Sequence, residues 1–514
     1  MKRSAGILLP IFSLPSRYGI GSLGAEARAF ADFLHAAGQS WWQILPVGPA
    51  GAGDSPYASF STFAGNAWFI DLDLLAEKGL LEPAELEWAR LPEGDRIDYP
   101  AVREKRDRLL RLAFSRVEGQ EAAEARAFTE RNPWVKEYAL YCAAKEHFGN
   151  TPWYEWPDEG LRQHEAGAVE RWRAELAEDA AYHTCVQHWF FSQWEDLKTY
   201  VNSLGIGLIG DLPIYVSLDS ADVWSERREF LLDREGKPEK VAGVPPDYFS
   251  EDGQLWGNPL YDWEAMKANG FGWWIRRVEG ASQLFDAIRI DHFRGLESYW
   301  AVPAGSETAK TGAWEKGPGM DLLGVLKSWF PRITYIAEDL GILTEEVHAL
   351  REASGLPGMR VLEFAFSGPD NAYLPHNFPR NCVCYTGTHD NDTAAGWYAN
   401  AEDREKAFAE QYLGVSGPEV RTALLRCGQR SVAELFVAQM QDYLGLGSES
   451  RLNVPGIALG NWRWRLGPGQ ASEALAAEIR AMTEVYGRCE PLPEAPKAEP
   501  EDRDENTNGI EPQE

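Results

Sequence analysis

The run Ala287-Ile288-Arg289-Ile290-Asp291-His292 decides how this chain is read. It is short and mostly apolar, and it ends abruptly in a carboxylate and an imidazole. A parallel strand covered on both faces reads as such a continuous apolar run, not as an alternation. Arg289 lies two residues before Asp291, on the same face of a strand. Three other runs end in the same way: Leu208-Ile209-Gly210-Asp211, Tyr335-Ile336-Ala337-Glu338-Asp339, and Tyr385 followed by Thr386-Gly387-Thr388-His389-Asp390-Asn391-Asp392. A single acid at a strand end says little, because charged residues are excluded from cores and terminate strands anyway. Four such ends, with Arg and His woven in, match a barrel, where catalytic groups sit at the C-terminal ends of several strands.

Working outward, further buried strands are predicted at Gly6–Leu9, Trp42–Pro46, Gly207–Leu212, Thr334–Ala337, Val361–Phe364 and Val383–Tyr385. Helical periodicity is clearest over Ala25–Ala37, Asp321–Trp329 and Thr344–Ala353. This alternation of strand and helix argues for the α/β class. Residues about 75–180 and about 400–450 break it. Both read as all-helical and fit insertions between barrel strands. Residues 490–514 read as a disordered acidic tail with nine acids, two bases and five prolines, too polar to offset its ordering entropy. The 514 residues therefore divide into one decorated barrel over 1–489 and a tail, not into three independent domains.

The net charge of −29 disfavours nucleic acid and anionic membranes as partners, and no Lys/Arg run offsets it. No apolar run approaches the ~20 residues needed to span a bilayer. Lys2 and Arg3 before an apolar stretch imitate a secretory signal, but Pro10 interrupts the stretch and no small-residue cleavage site follows. A first strand and a cytoplasmic location are expected instead. The 21 Trp, 19 Tyr and 22 Phe leave two readings open, a large aromatic core or a groove that stacks on sugar rings.

Two motifs mislead. Gly19-Ile20-Gly21-Ser22-Leu23-Gly24 matches the dinucleotide fingerprint, but about ten residues separate it from the preceding strand, and no acid follows Trp42–Pro46 to hold a ribose. A flexible Gly-rich loop capping a helix is expected. Cys382 and Cys384 have no second pair to complete a zinc site, and His183 and His188, five apart on a helix, do not share a face. Both histidines read as surface or core residues.

Paired carboxyl groups suit glycoside chemistry: one protonates the leaving oxygen, and the other attacks the anomeric carbon or activates water. At these residues the chain closely resembles the amylomaltases, 4-α-glucanotransferases related to the α-amylase superfamily. The resemblance runs from about residue 4 to 467. It is carried by Gly6–Pro10 with Ser13–Ser16, Asp54-Ser55-Pro56-Tyr57, Gly210–Ile214, Arg289–Gly295, Ala337–Gly341, Tyr385–Asp392 and Gly460-Asn461-Trp462-Arg463-Trp464. It implies a (β/α)8 barrel and a retaining double displacement without metal, nucleotide or other cofactor. It makes Asp291 the nucleophile, Glu338 the acid/base, and Asp390 a third carboxylate that holds sugar hydroxyls and stabilises the transition state. It gives Arg289 the task of keeping Asp291 ionised, and His292 and His389 that of donating to sugar hydroxyls. Asp211 would support the site, and Tyr57 would stack under the reacting sugar. Ser55 and Asn461 fall in matching motifs and are expected to bind substrate.

The loop Pro245–Asn258 resembles the family's lid, with Gln254 and Trp256 touching glucose. Packing of Tyr248, Phe249 and Trp256 on the barrel rim is the alternative. The implied activity moves an α-1,4-glucan segment from one chain to the 4-hydroxyl of another and releases glucose or a shortened glucan. The partners are α-1,4-glucans and maltooligosaccharides, and the chain itself would be a monomer or homodimer. A hydrolase using the same residues, and a non-catalytic glucan-binding protein, are the competing readings.

Overall fold

The computed structural model describes residues 3–246, 250–341 and 343–490. The acidic tail from 491 onward, and Tyr248 and Phe249 of the lid, lie outside the described residues. Eight parallel strands form one sheet: β1 (Ser4–Leu8), β2 (Trp41–Gln43), β3 (Gly207–Leu212), β4 (Ala287–Ile290), β5 (Thr334–Ala337), β6 (Gly358–Val361), β7 (Cys382–Tyr385) and β8 (Leu435–Gln439). Apart from β5 and β6, strands neighbouring in chain order pair, and β8 returns to β1, where Leu8 lies opposite Gln439. The ladder is open only between β5 and β6, where the Ala337 N–H donates to the Pro357 carbonyl at 2.9 Å. This is the (β/α)8 barrel of the α/β class.

The strands exist because their residues are buried on both faces. Leu8, Trp42, Ile209, Ile288, Ile336 and Val383 are all fully buried. The predicted helices fall within a residue or two of those found at Ala25–Ala36, Gly319–Trp329 and Glu345–Ser354. The sixth strand lies three residues earlier than predicted. Gly358 packs on the Asp339 carboxylate, where any Cβ would collide, and the Leu362–Phe364 part of the expected strand is a 3-10 turn. Its Arg360 disguised the strand, but the guanidinium is neutralised by Asp339 at 3.5 Å.

The stretch 400–450 is not all-helical, because it contains β8. A fully buried strand of five residues has no period-2 signature and cannot be told from a buried helical turn. From Leu72 to Ser203 helices follow one another, ending in the 27-residue helix Ala177–Ser203. A second, antiparallel sheet went unpredicted. Its strands are ordered Gln254–Pro259, Lys240–Val244, Ser298–Pro303 and Ala313–Lys316. These segments follow β3 and β4, so the sheet rises from the carboxyl ends of the strands that bear Asp211 and Asp291.

The Gly19–Gly24 loop is not flexible. It is buried, and a Cβ at Gly21 would strike the Ile11 carbonyl, while one at Gly24 would strike Asp71. Its glycines serve close packing. The aromatic count is mostly core: eight tryptophans, Trp42 and Trp153 among them, are fully buried. Trp256 and Trp314 are among the few exposed.

Candidate active site

Register brings the first pair together. Asp211 on β3 is the cross-strand partner of Arg289 on β4, and Leu212 is that of Ile290. The Arg289 guanidinium is buried, and its Nη1 donates to both oxygens of Asp211 at 2.6 Å and to Oδ1 of Asp291 at 2.9 Å. Asp291 itself follows the end of β4, its N–H bonded to the Leu212 carbonyl. A buried cation between two carboxylates offsets the cost of removing all three from water.

Ile290 pairs with Ala337 across β4 and β5, so the next residues, Asp291 and Glu338, leave neighbouring strands side by side. Neighbouring strands stand about 4.8 Å apart, so the two carboxyl groups start from adjacent backbone positions. His292 turns into the left-handed region at φ 50°, and its N–H donates to Oε2 of Glu338 at 2.7 Å. The Leu340 N–H reaches Oε1 at 3.3 Å.

Burial, and then the Asp291 charge, push the Glu338 carboxyl up to about 8. Burial pushes Asp291 up to about 6, where Arg289 opposes the rise and Asp211 adds to it. The proton of the pair therefore resides on Glu338 at neutral pH, and Asp291 is the charged partner. Asp390 differs. Burial raises it, but His389, Asn453 and Arg289 together outweigh burial and hold it well below the usual carboxylate range. The imidazole of His292 is pushed down to about 3, by burial first and then by Arg294, so it is neutral.

A polar chain links Asp390 to Asp211 and, through Arg289, to Asp291. The Tyr57 hydroxyl donates to Oδ2 of Asp211 at 2.6 Å, and Nε2 of His389 lies 2.8 Å from that hydroxyl. With its one proton given to Asp211, the hydroxyl accepts from His389, so Nε2 carries hydrogen. The same Nε2 is 3.3 Å from Oδ2 of Asp390. Asn453 Nδ2 donates to Oδ1 of Asp390 at 2.6 Å, and Arg451 donates to its backbone carbonyl. Asp390, His389, Tyr57, Asp211, Arg289 and Asp291 thus form one connected polar network, and Glu338 stands beside it, held by backbone N–H groups.

The remaining expected residues separate into two groups. Trp256 is on the antiparallel sheet, 37% exposed, with its ring edge-on to His292 at 4.8 Å. Its Nε1 donates to Gln254, so both face the cleft side of that sheet as one unit. Ser55 accepts the Tyr57 N–H in the turn that sets the Tyr57 ring. Asn461 accepts from the Val454 N–H and donates to the Val454 and Ile457 carbonyls. It braces the loop that carries Asn453, and that use of its amide competes with the direct sugar contact expected of it.

The sequence alone does not single out Asn453, Arg451 or Trp462, which the structure places against this network. Trp462 is buried at φ 63°, a conformation costly for a bulky side chain. Its ring lies 5.8 Å from Tyr57 and 5.9 Å from His389. The Tyr99 hydroxyl donates to its carbonyl at 2.6 Å, and its N–H donates to Leu452. No local sequence signal marks Asn453 or Arg451, and Trp462 was visible only as part of a motif.

Residues 9–470 match a family model described as 4-alpha-glucanotransferase. A 4-alpha-glucanotransferase of Thermus thermophilus is 49% identical, covering 95% of this chain and 99% of the relative. The structure of an amylomaltase from Streptococcus agalactiae in complex with acarbose superimposes with a TM-score of 0.93 at 39% identity, covering 95% of this chain and all of that one. An amylomaltase from Corynebacterium glutamicum, 19% identical, shares the fold with a TM-score of 0.77 over 94% of this chain and 75% of that one.

Proposed function

The chain belongs to the 4-alpha-glucanotransferase family, and from that premise we propose that Asp291, Glu338 and Asp390 are the residues that run its reaction. The enzyme transfers α-1,4-glucan segments between maltooligosaccharides or starch chains by a retaining double displacement.

In the first step the Asp291 carboxylate attacks the anomeric carbon of the bound donor. The glycosidic C1–O4 bond breaks, and Glu338 gives its proton to the departing 4-oxygen. A covalent glycosyl-Asp291 ester remains. In the second step the ionised Glu338 takes the proton from the 4-hydroxyl of an acceptor glucan as that oxygen attacks C1, and Asp291 is released as carboxylate. Two inversions give net retention.

The charge arrangement carries this reading. Glu338 is held protonated largely by burial and by the Asp291 charge. Once Asp291 is esterified, that charge is gone and the Glu338 pKa must fall. The residue that begins as an acid thereby becomes a base at the same pH. Arg289 keeps Asp291 ionised in the free enzyme and stabilises it again as the leaving group. Asp390, ionised well below neutrality, holds sugar hydroxyls and faces the positive charge that develops at C1. Neutral His292 and the Nε2–H of His389 donate to hydroxyls, and Tyr57 offers its ring as a platform. Ser55 and Asn461 act through the loops they brace.

Water and a sugar hydroxyl compete for the ester. Trp256 and Gln254, on a sheet overhanging the strand ends, favour the sugar by offering it a stacking surface. Six free cysteines suit a reducing compartment, and we place the enzyme in the cytoplasm. Among the described residues no helix is long and apolar enough to cross a membrane. Maltotriose alone tests the function. A ladder of longer maltooligosaccharides plus glucose, with little gain in reducing ends, is expected. A steady rise in reducing ends without a ladder would make the chain a hydrolase.

A further inference from the structure

Away from the strand ends, three potential ligands meet between two helices of the 72–203 segment. Glu121 and Glu124 lie three apart on the helix Gly119–Arg131 and so share a face. They look onto His188 of the helix Ala177–Ser203. One ligand atom from each of the three lies within 4.8 Å of the others.

His188 is the telling member. It is only 7% exposed, and its Nε2 has no hydrogen-bond partner. Nε2 points between the two carboxylates, 3.5 Å from Oε1 of Glu121 and 3.7 Å from Oε2 of Glu124. Those distances are long for hydrogen bonds. They are the right length for a shared ion, because two ligands each ~2.1 Å from a tetrahedral metal stand about 3.4 Å apart. Trp189 Nε1 donates to Oε1 of Glu121 at 2.8 Å and fixes the orientation of that carboxylate.

One group competes. The Lys78 ammonium lies 3.0 and 3.1 Å from the two oxygens of Glu121. Its side chain is 38% exposed, so it can swing into solvent when a stronger cation arrives.

We propose that Glu121, Glu124 and His188 form a site for a first-row divalent cation of the zinc type, which clips the two helices together. An imidazole with two carboxylates suits Zn2+ and excludes Mg2+, which prefers an all-oxygen octahedron. The site has no part in the glycosyl transfer. It stabilises the folded chain by binding it in preference to the unfolded chain.

The test is calorimetric titration of the chelator-stripped, full-length protein with zinc chloride, with thermal unfolding followed in parallel. One tight site per chain and a raised Tm are expected for the wild type. His188→Asn and Glu124→Gln should each lose that site, with at least tenfold weaker binding and no Tm rise. Glu124 is 42% exposed, so its variant keeps the fold testable if His188→Asn does not fold. Lys78→Met should bind zinc several-fold more tightly, because the competing cation is gone. Equal zinc binding by Glu124→Gln and wild type, weaker binding by Lys78→Met, or an equal Tm rise with magnesium chloride would each overturn the proposal.

Discussion

Arg289 holds Asp291 with the same nitrogen that holds Asp211: Nη1 is 2.9 Å from Oδ1 of Asp291 and 2.6 Å from each oxygen of Asp211. The guanidinium is therefore shared between Asp211 and Asp291, the proposed nucleophile. Arg289→Lys keeps one charge but cannot reproduce the planar fork. The Asp291 pKa should rise, the acid limb of kcat/KM should move to higher pH, and activity at pH 7 should fall about 100-fold, roughly 2.7 kcal/mol. A pH–rate profile of the folded variant checks this, and an unshifted acid limb would separate Arg289 from the ionisation of Asp291.

The wild-type profile of kcat/KM should be a bell. Activity is lost as pH falls through about 6, where Asp291 gains a proton, and as pH rises through about 8, where Glu338 loses one. Glu338→Gln should abolish transfer from maltotriose. It should retain a first step with α-glucosyl fluoride, whose leaving group needs no proton, and that step should lack the alkaline limb. Asp291→Asn should lose both reactions yet still bind maltooligosaccharide, measured by titration calorimetry.

Trp462 backs both Tyr57 and His389 from a left-handed backbone position. Trp462→Leu should loosen the sugar platform, and the Tyr57–His389 pair should lose its fixed orientation. A fall in kcat of about tenfold is expected, with a smaller change in KM, because misplacement weakens the transition state more than binding. Trp462→Phe should recover most of the loss. Equal kcat in Trp462→Leu and wild type would reduce the ring to packing.

Asp442 is fully buried, and burial raises its carboxyl to about 6; nearby Asp392 adds to the rise. Its oxygens accept from the Thr386 hydroxyl and the Ala394 N–H. In the unfolded chain the carboxyl returns to its ordinary value near 3.8. A folded-state pKa raised in this way contributes stability below pH ~4 that is lost as pH rises through 6. The ionised form then costs up to about 3 kcal/mol. Asp442→Asn keeps the shape and removes the charge. Its Tm should exceed that of the wild type at pH 8, with the gain shrinking at pH 5. A gain of the same size at both values would mean the carboxyl does not titrate there.

What the sequence determined by itself is the barrel class, the family, and the strand ends after which Asp291, Glu338 and Asp390 lie. Strands buried on both faces declare themselves as contiguous apolar runs, and the acids that end them break that pattern. β8, Leu435–Gln439, was invisible because a run that short and that buried has no period to read. The antiparallel sheet was invisible because its exposed strand Gln254–Pro259 lacks a buried face. Only the tertiary structure decided which acid keeps its proton. That depends on burial and on partners far away in sequence, such as Asp211 beside Arg289 and His389 beside Tyr57, which are 78 and 332 residues apart. The same reason explains His188. The two carboxylates it faces belong to another helix, so folding alone brings the three together.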